Sequence, residues 1–304
     1  MTEIITAAFF AQVLRISVPY TLAALGGTCS ERGGVVNIAL EGTLLAGAFG
    51  SVAVTWATGN PWLGVLAGIA SGLALAALHG LVSVTLKANQ IVSGIALNLL
   101  AIGLTKFLLR LVFGSSSNSA RVVGLPEWNV PLLSSVPVLG AIVSSPFMLS
   151  TGIIVVALWI VLTKTPFGLR LRAVGEHPEA ADTLGVSVEG MRYAGVLLSG
   201  ALAGLGGAWL AMEQHSFTDG MSSGRGYIAL AAMIVGKWHP LGAAGACLLF
   251  GLAETLEINL QSLHVPTHFV QMIPYVVTLI VLAGFIGRAT PPAADGIPYR
   301  KEQD

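Results

Sequence analysis

Residues 170–185 read "RLRAVGEHPEAADTLG", a knot of charge in a chain that has only 15 basic and 15 acidic residues among 304. A soluble domain spends about a quarter of its residues on charge; here the share is 10%, against 54% hydrophobic residues and a mean hydropathy of +0.80. So little charge cannot cover a water-facing surface, and several apolar stretches reach the roughly 18 residues that a bilayer crossing needs. The fold class expected is therefore all-α and polytopic, because a helix satisfies its own backbone in hydrocarbon. The charged stretch then marks a place where the chain returns to water.

Working outward from it, nine candidate membrane segments lie at 6–27, 35–57, 62–86, 90–113, 147–163, 192–212, 226–236, 241–260 and 267–287. The seventh is too short to cross a core of roughly 30 Å at about 1.5 Å per residue. With the glycine-rich "FTDGMSSGRG" (217–226) before it, it predicts a broken or re-entrant element, tolerable only where protein or an aqueous cavity surrounds the backbone. The start lacks a basic signal-peptide region, Glu3 being its first charge, and reads as a retained first span. The segment 114–146 carries serine, glycine and proline signals of a folded external loop with a short surface helix. Trp128, Trp159, Trp209 and Trp238 are expected as interface anchors.

Basic residues orient the chain. With the C-terminus inside, Arg32, Lys87, Lys164, Arg170, Arg172, Arg192, Lys237, Arg288, Arg300 and Lys301 fall on the cytoplasmic side, and only Arg121 and Arg225 on the other. The expected organisation is one transmembrane domain over 1–290, with a first repeat at 6–113, the external loop, a cytoplasmic loop at 164–191, a second repeat at 192–287 and a cytoplasmic tail at 291–304. The repeat rests on "NIALEGTLLAGAFG" (37–50) followed by "NPWLGVLAG" (60–68), echoed by "YIALAAMIVG" (227–236) and "HPLGAAGACL" (239–248). Each joins Ile-Ala-Leu and small residues to a proline-led helix start. The odd-span count turns the second copy over, an inverted-topology arrangement common in transporters.

Several function classes drop out. Balanced charge and the lack of a basic stripe argue against nucleic acid. Cys29 and Cys247 form no framework, the six histidines are scattered, and His264 and His268 lack the acid of a zinc-hydrolase motif. No reacting constellation and no G-x-x-x-x-G-K-[ST] phosphate loop is present, so neither intramembrane catalysis nor ATP chemistry is expected on this chain, and no cofactor.

In the charged loop, Pro178 suits a first helical turn, Glu179 and Asp182 its positive end, and Gly185 its stop. Glu179-Ala180-Ala181, three residues and then Gly185 resemble the coupling motif of permease subunits in bacterial ABC importers. The surrounding "TPFGLRLRAVGEHPEAADTLGV" (165–186) is similar to the corresponding segment of the branched-chain amino acid, simple-sugar and nucleoside permeases. Further similarity lies at 31–49, 88–105, 198–210 and 224–243, so the likeness spans most of 20–287.

The resemblance implies a bacterial inner-membrane subunit similar to the shorter permease of nucleoside systems. It also implies a longer homologous permease as partner in a heterodimer, a separate ATPase that binds ATP-Mg, and an external substrate-binding protein. Arg170, Arg172, Glu176, Glu179, Ala180 and Gly185 are the candidates for coupling to that ATPase. Ribose or another simple sugar is the alternative substrate, and a standalone secondary transporter the alternative class.

Polar residues inside spans supply the path candidates. Asn37 and Glu41, four apart, share a helix face, and a carboxylate in a membrane marks either a translocation path or an interhelix anchor. Gln90 and Asn98 are roughly cofacial and fit either hydroxyl recognition or helix–helix hydrogen bonds. Gln214 and Tyr227, with Glu254, Glu257 and Asn259, form a second group.

Overall fold

A computed structural model describes residues 7–126, 128, 137–261, 272, 276–277, 279–280 and 289–301. Its helices are α1 (Ala7–Arg32), α2 (Leu40–Thr58), α3 (Pro61–Gly80), α4 (Gln90–Phe113), α5 (Pro137–Ser144), α6 (Pro146–Lys164), α7 (Pro166–Glu176), α8 (Pro178–Thr183), α9 (Val188–Gln214), α10 (Arg225–Val235) and α11 (Pro240–Leu260). A π-helical turn, Leu81–Thr85, prolongs α3. Starts follow local chemistry. Proline sits in the first turn of α3, α6, α7, α8 and α11, and Asn60, Asn89, Ser145, Thr165 and Ser187 cap following N–H groups with side-chain oxygens.

Seven of the expected segments are helices long and apolar enough to cross a membrane. The 226–236 segment is the short helix expected, 11 residues long, which rises only about 16 Å. The count of nine stands unconfirmed, because the last segment, 267–287, lies largely outside the described residues.

Helix α9 is the central post and packs against α1, α2 and α3. Such close packing needs small residues, since lipid gives helices no hydrophobic reason to associate. A Cβ on Gly204 would lie 2.5 Å from the Gly68 carbonyl oxygen, and one on Gly47 would lie 2.5 Å from that of Gly204. Helices α1 and α9 run antiparallel: Gly195 meets Cys29, Gly26 meets Ser199, and Trp209 Nε1 donates to the Arg15 carbonyl oxygen at 3.2 Å.

Loop and tryptophan expectations divide. The connection after α4 includes the short helix α5. Its extended part pairs with the segment after α9, through Ser119 N to Phe217 O and Asp219 N to Ser117 O at 2.8 and 2.9 Å. Trp128 is exposed, whereas Trp209 and Trp238 are buried and are not interface anchors, because each indole N–H is spent inside the bundle. Exposed Trp56 and Trp62, at the α2–α3 turn, are better placed for that role.

Candidate functional site

Two spans are interrupted, and their breaks meet. After α1 ends at Arg32 the chain does not turn outside the bundle; residues 33–39 climb into it without helical bonding, and α2 begins only at Leu40. Buried backbone must find partners, and the polar residues singled out above supply them. Gln90 Oε1 accepts from Val36 N at 2.7 Å, and His79 Nε2 donates to Val36 O at 2.9 Å. Asn98 Nδ2 donates to Ile38 O at 3.0 Å, while its Oδ1 accepts from Gly42 N at 2.8 Å. Asn37 Oδ1 accepts from Ala39 N and its Nδ2 donates to Ser199 Oγ at 2.9 Å. Asn37, Gln90 and Asn98 are all buried. His79 was merely one of six scattered histidines in the sequence; its value lies in facing a carbonyl from an element 43 residues away.

The second break precedes α10. Gly220 and Gly224 take positive φ (68° and 82°), as does Ser223 (47°), bringing the chain back into the bundle. Glu41 sits where the two breaks converge. Its Oε1 accepts from Gly224 N at 2.8 Å and its Oε2 from Gly226 N at 2.7 Å, and it is only 7% exposed. Being in the first turn of α2 as well, one carboxylate faces the positive ends of two helices. That accounts for a charge in a membrane segment. Gly226 is required at this approach, because a Cβ there would collide with the Glu41 backbone.

Around this junction, Arg225 Nη2 pairs with Glu254 Oε1 at 2.8 Å, and Tyr20 donates its hydroxyl to Glu254 Oε2. Tyr227 receives a hydrogen bond from Asn98 Nδ2 at 3.1 Å, yet is 49% exposed. Gln214 lies apart, at the end of α9. With Gln12, Arg15, Glu213 and Arg225 it lines a cavity of about 600 Å³. The path candidates thus divide into an interior network and a cavity edge.

At the other end of the bundle, the charged loop forms α7 and α8. Pro178 opens α8, Glu179 occupies its first turn, and Gly185 follows with φ +78°, as the sequence required. Arg170, Glu179, Ala180 and Gly185 are exposed. Arg172 is partly covered, its Nε 3.4 Å from Gly168 O. Glu176 is committed within the chain: Oε2 accepts from Ala293 N at 3.2 Å, and Oε1 lies 3.9 Å from Arg32 Nη1.

The sequence offered no hint of the carboxyl pair beside this loop. Glu31 accepts from Trp238 Nε1 at 2.6 Å and shares a hydrogen bond with Asp295. Arg192, placed by sequence at the cytoplasmic start of the 192–212 span, is 1% exposed and donates from Nη1 to Ile297 O at 2.9 Å. Burial, and next the Glu31 charge, push the Asp295 carboxyl up to about 8, while Arg192 opposes the shift. Among the described residues no cluster of three or more metal-ligating side chains occurs; His264 and His268 fall outside them.

Residues 9–282 match the family described as branched-chain amino acid transport system / permease component. The chain belongs to that family. It is 45% identical to the guanosine ABC transporter permease protein NupQ of Bacillus subtilis, covering 95% of this chain and 98% of the relative. It is also 45% identical to the nucleoside ABC transporter permease protein NupC of Lactococcus lactis, over 96% of each. A second permease of the same Bacillus strain, NupP, is 27% identical over 91% of this chain, so such relatives occur in pairs. A metal-chelate-type ABC transporter solved in an inward-facing conformation shares the fold, with TM-score 0.50 and 17% identity over 90% of this chain. This permease is accordingly a multi-pass membrane protein, and its broken spans belong to a transport fold.

Proposed function

We propose that this permease is the shorter of two homologous membrane subunits of an ATP-driven importer and forms part of a path for nucleosides. The observation that carries the substrate class is 45% identity, over nearly the whole of both chains, to permeases named for guanosine and for nucleosides. In this reading α7 and α8 face the cytoplasm and receive the motion of a separate ATPase, where ATP-Mg binds. The N-terminus lies outside, and an external binding protein delivers substrate. Exposed Glu179, Ala180 and Gly185, with Arg170 beside them, make the coupling contact, while Glu176 and Arg172 position the loop.

The path itself must bind weakly enough to release. Asn37, Glu41, Gln90 and Asn98 are engaged in holding broken backbone, so they shape the path rather than touch the cargo. Tyr227, exposed beside the junction of the two breaks, is the side chain placed to stack on a base, and Gln214 lies in the outer cavity.

Reconstitution with the neighbouring permease, ATPase and binding protein tests this. ATP-dependent uptake of guanosine and other nucleosides, exceeding that of ribose or glucose by at least about tenfold, is expected. Preferential sugar uptake, or ion-driven uptake by this chain alone, would sink the reading. Replacing Glu179 with Lys is expected to abolish stimulation of the ATPase by loaded binding protein while membrane insertion persists. Normal stimulation would count against the coupling role.

A further inference from the structure

Residues 289–301, far from the coupling loop in sequence, pack against it. Ala294 N donates to Gly175 O at 2.8 Å, and Lys301 Nζ lies 3.2 Å from Asp182 Oδ2. Tyr299 packs on the small core of Val174, Ala181 and Val188 that joins α7, α8 and α9. The tail is thereby fixed along the loop over both of its helices. Between them lies a groove of about 270 Å³, walled by His177 and Glu179 on one side and by Ile297, Pro298 and Arg300 on the other.

The exposed apolar side chains here stand apart from those on the spans, which lipid covers. Leu184, in the turn between Glu179 and Gly185, is 83% exposed, and Ile297 on the tail is 57% exposed. Both belong to segments outside the membrane-spanning helices. An apolar side chain at the rim of a polar groove is the usual anchor of a protein contact. A partner that grips Glu179 meets Ile297 across the same groove, because α8 is one of its walls. The loop's motif announces only half of this surface.

We propose that Ile297 and its neighbours through Arg300 form part of the docking surface for the ABC ATPase, as a second wall beside α8, with Ile297 as its apolar anchor. The inference rests on the coupling role assigned above and adds the tail to it. The native thiols, Cys29 and Cys247, are buried, so introduced cysteines are labelled selectively.

Leu184→Cys and Ile297→Cys, each carrying a thiol-linked photoreactive probe, are assembled into the complete transporter and irradiated. Crosslinks from both sites to the ATPase are expected. A crosslink from position 184 with none from 297, or crosslinks from 297 only to phospholipid, overturns the proposal and leaves the coupling role standing. Absence of ATPase crosslinks from both sites overturns the coupling role and the proposal together. In a second measurement, Ile297→Asp is expected to weaken ATPase binding about tenfold, with protease protection of the tail unchanged. Unaltered affinity overturns the proposal.

Discussion

Glu41 shows how one side chain can be costly in isolation and stabilising in place. A carboxylate within a membrane segment demands compensation, and two backbone N–H groups at 2.7 and 2.8 Å supply it together with two helix N-termini. Exchange for Gln retains the shape but turns an amide toward one of those donors, orphaning it at a cost of about 1–3 kcal/mol. Glu41→Gln is expected to lower the unfolding midpoint in detergent by several degrees. A midpoint equal to that of the parent would show that the two N–H groups do not depend on the charge. The sequence flagged Glu41 through spacing and hydropathy, and its reading kept both path and anchor while favouring the anchor. Only its partners, 183 and 185 residues away, decide for the anchor.

Among the elements, α9 bears the tightest constraint. Its glycines let α2 and α3 approach at carbonyl contact. Gly204→Val adds volume between backbones that cannot move apart cheaply, an overpacking cost of about 1–3 kcal/mol. Gly103, on α4, faces open space, so Gly103→Ala should be neutral or raise helix stability by about 0.5–1 kcal/mol. The thermal unfolding midpoint is therefore expected to fall in Gly204→Val and to hold or rise in Gly103→Ala. Equal shifts would mean that packing at α9 is looser than the contacts indicate. The small-residue run "LSGALAGLGGAWL" (198–210) was plain in the sequence, but not which glycines touch backbone, because several helix faces carry glycine.

At the scale of the molecule, the C-terminal tail links the charged loop to the ends of α1 and α9. Glu31 and Arg192 face Asp295, and Trp238 of the α10–α11 turn completes the knot by bonding Glu31. Because the Asp295 carboxyl is raised in the docked state, its protonated form is the one favoured there. The contribution to docking is full below the ordinary carboxylate range and is lost as pH rises through about 8. Proteolysis of the tail is expected to be faster at pH 9 than at pH 6 in the parent, and to show no such change in Asp295→Asn. A pH response unaltered by that substitution would place its origin elsewhere.

Sequence by itself determined the solvent, the helical class, the short tenth helix and the charged loop with its proline start and glycine stop. These depend on composition and on residues close together in the chain, where hydropathy and backbone preference act locally. Tertiary structure alone decided that buried Asn37, Gln90 and Asn98 serve broken backbone, that Trp209 and Trp238 lie inside, and that the tail rejoins the loop. Hydrogen bonds and close contacts between distant segments fix those roles, and a polar residue reads the same in a linear sequence whether it faces a substrate, a carbonyl or water.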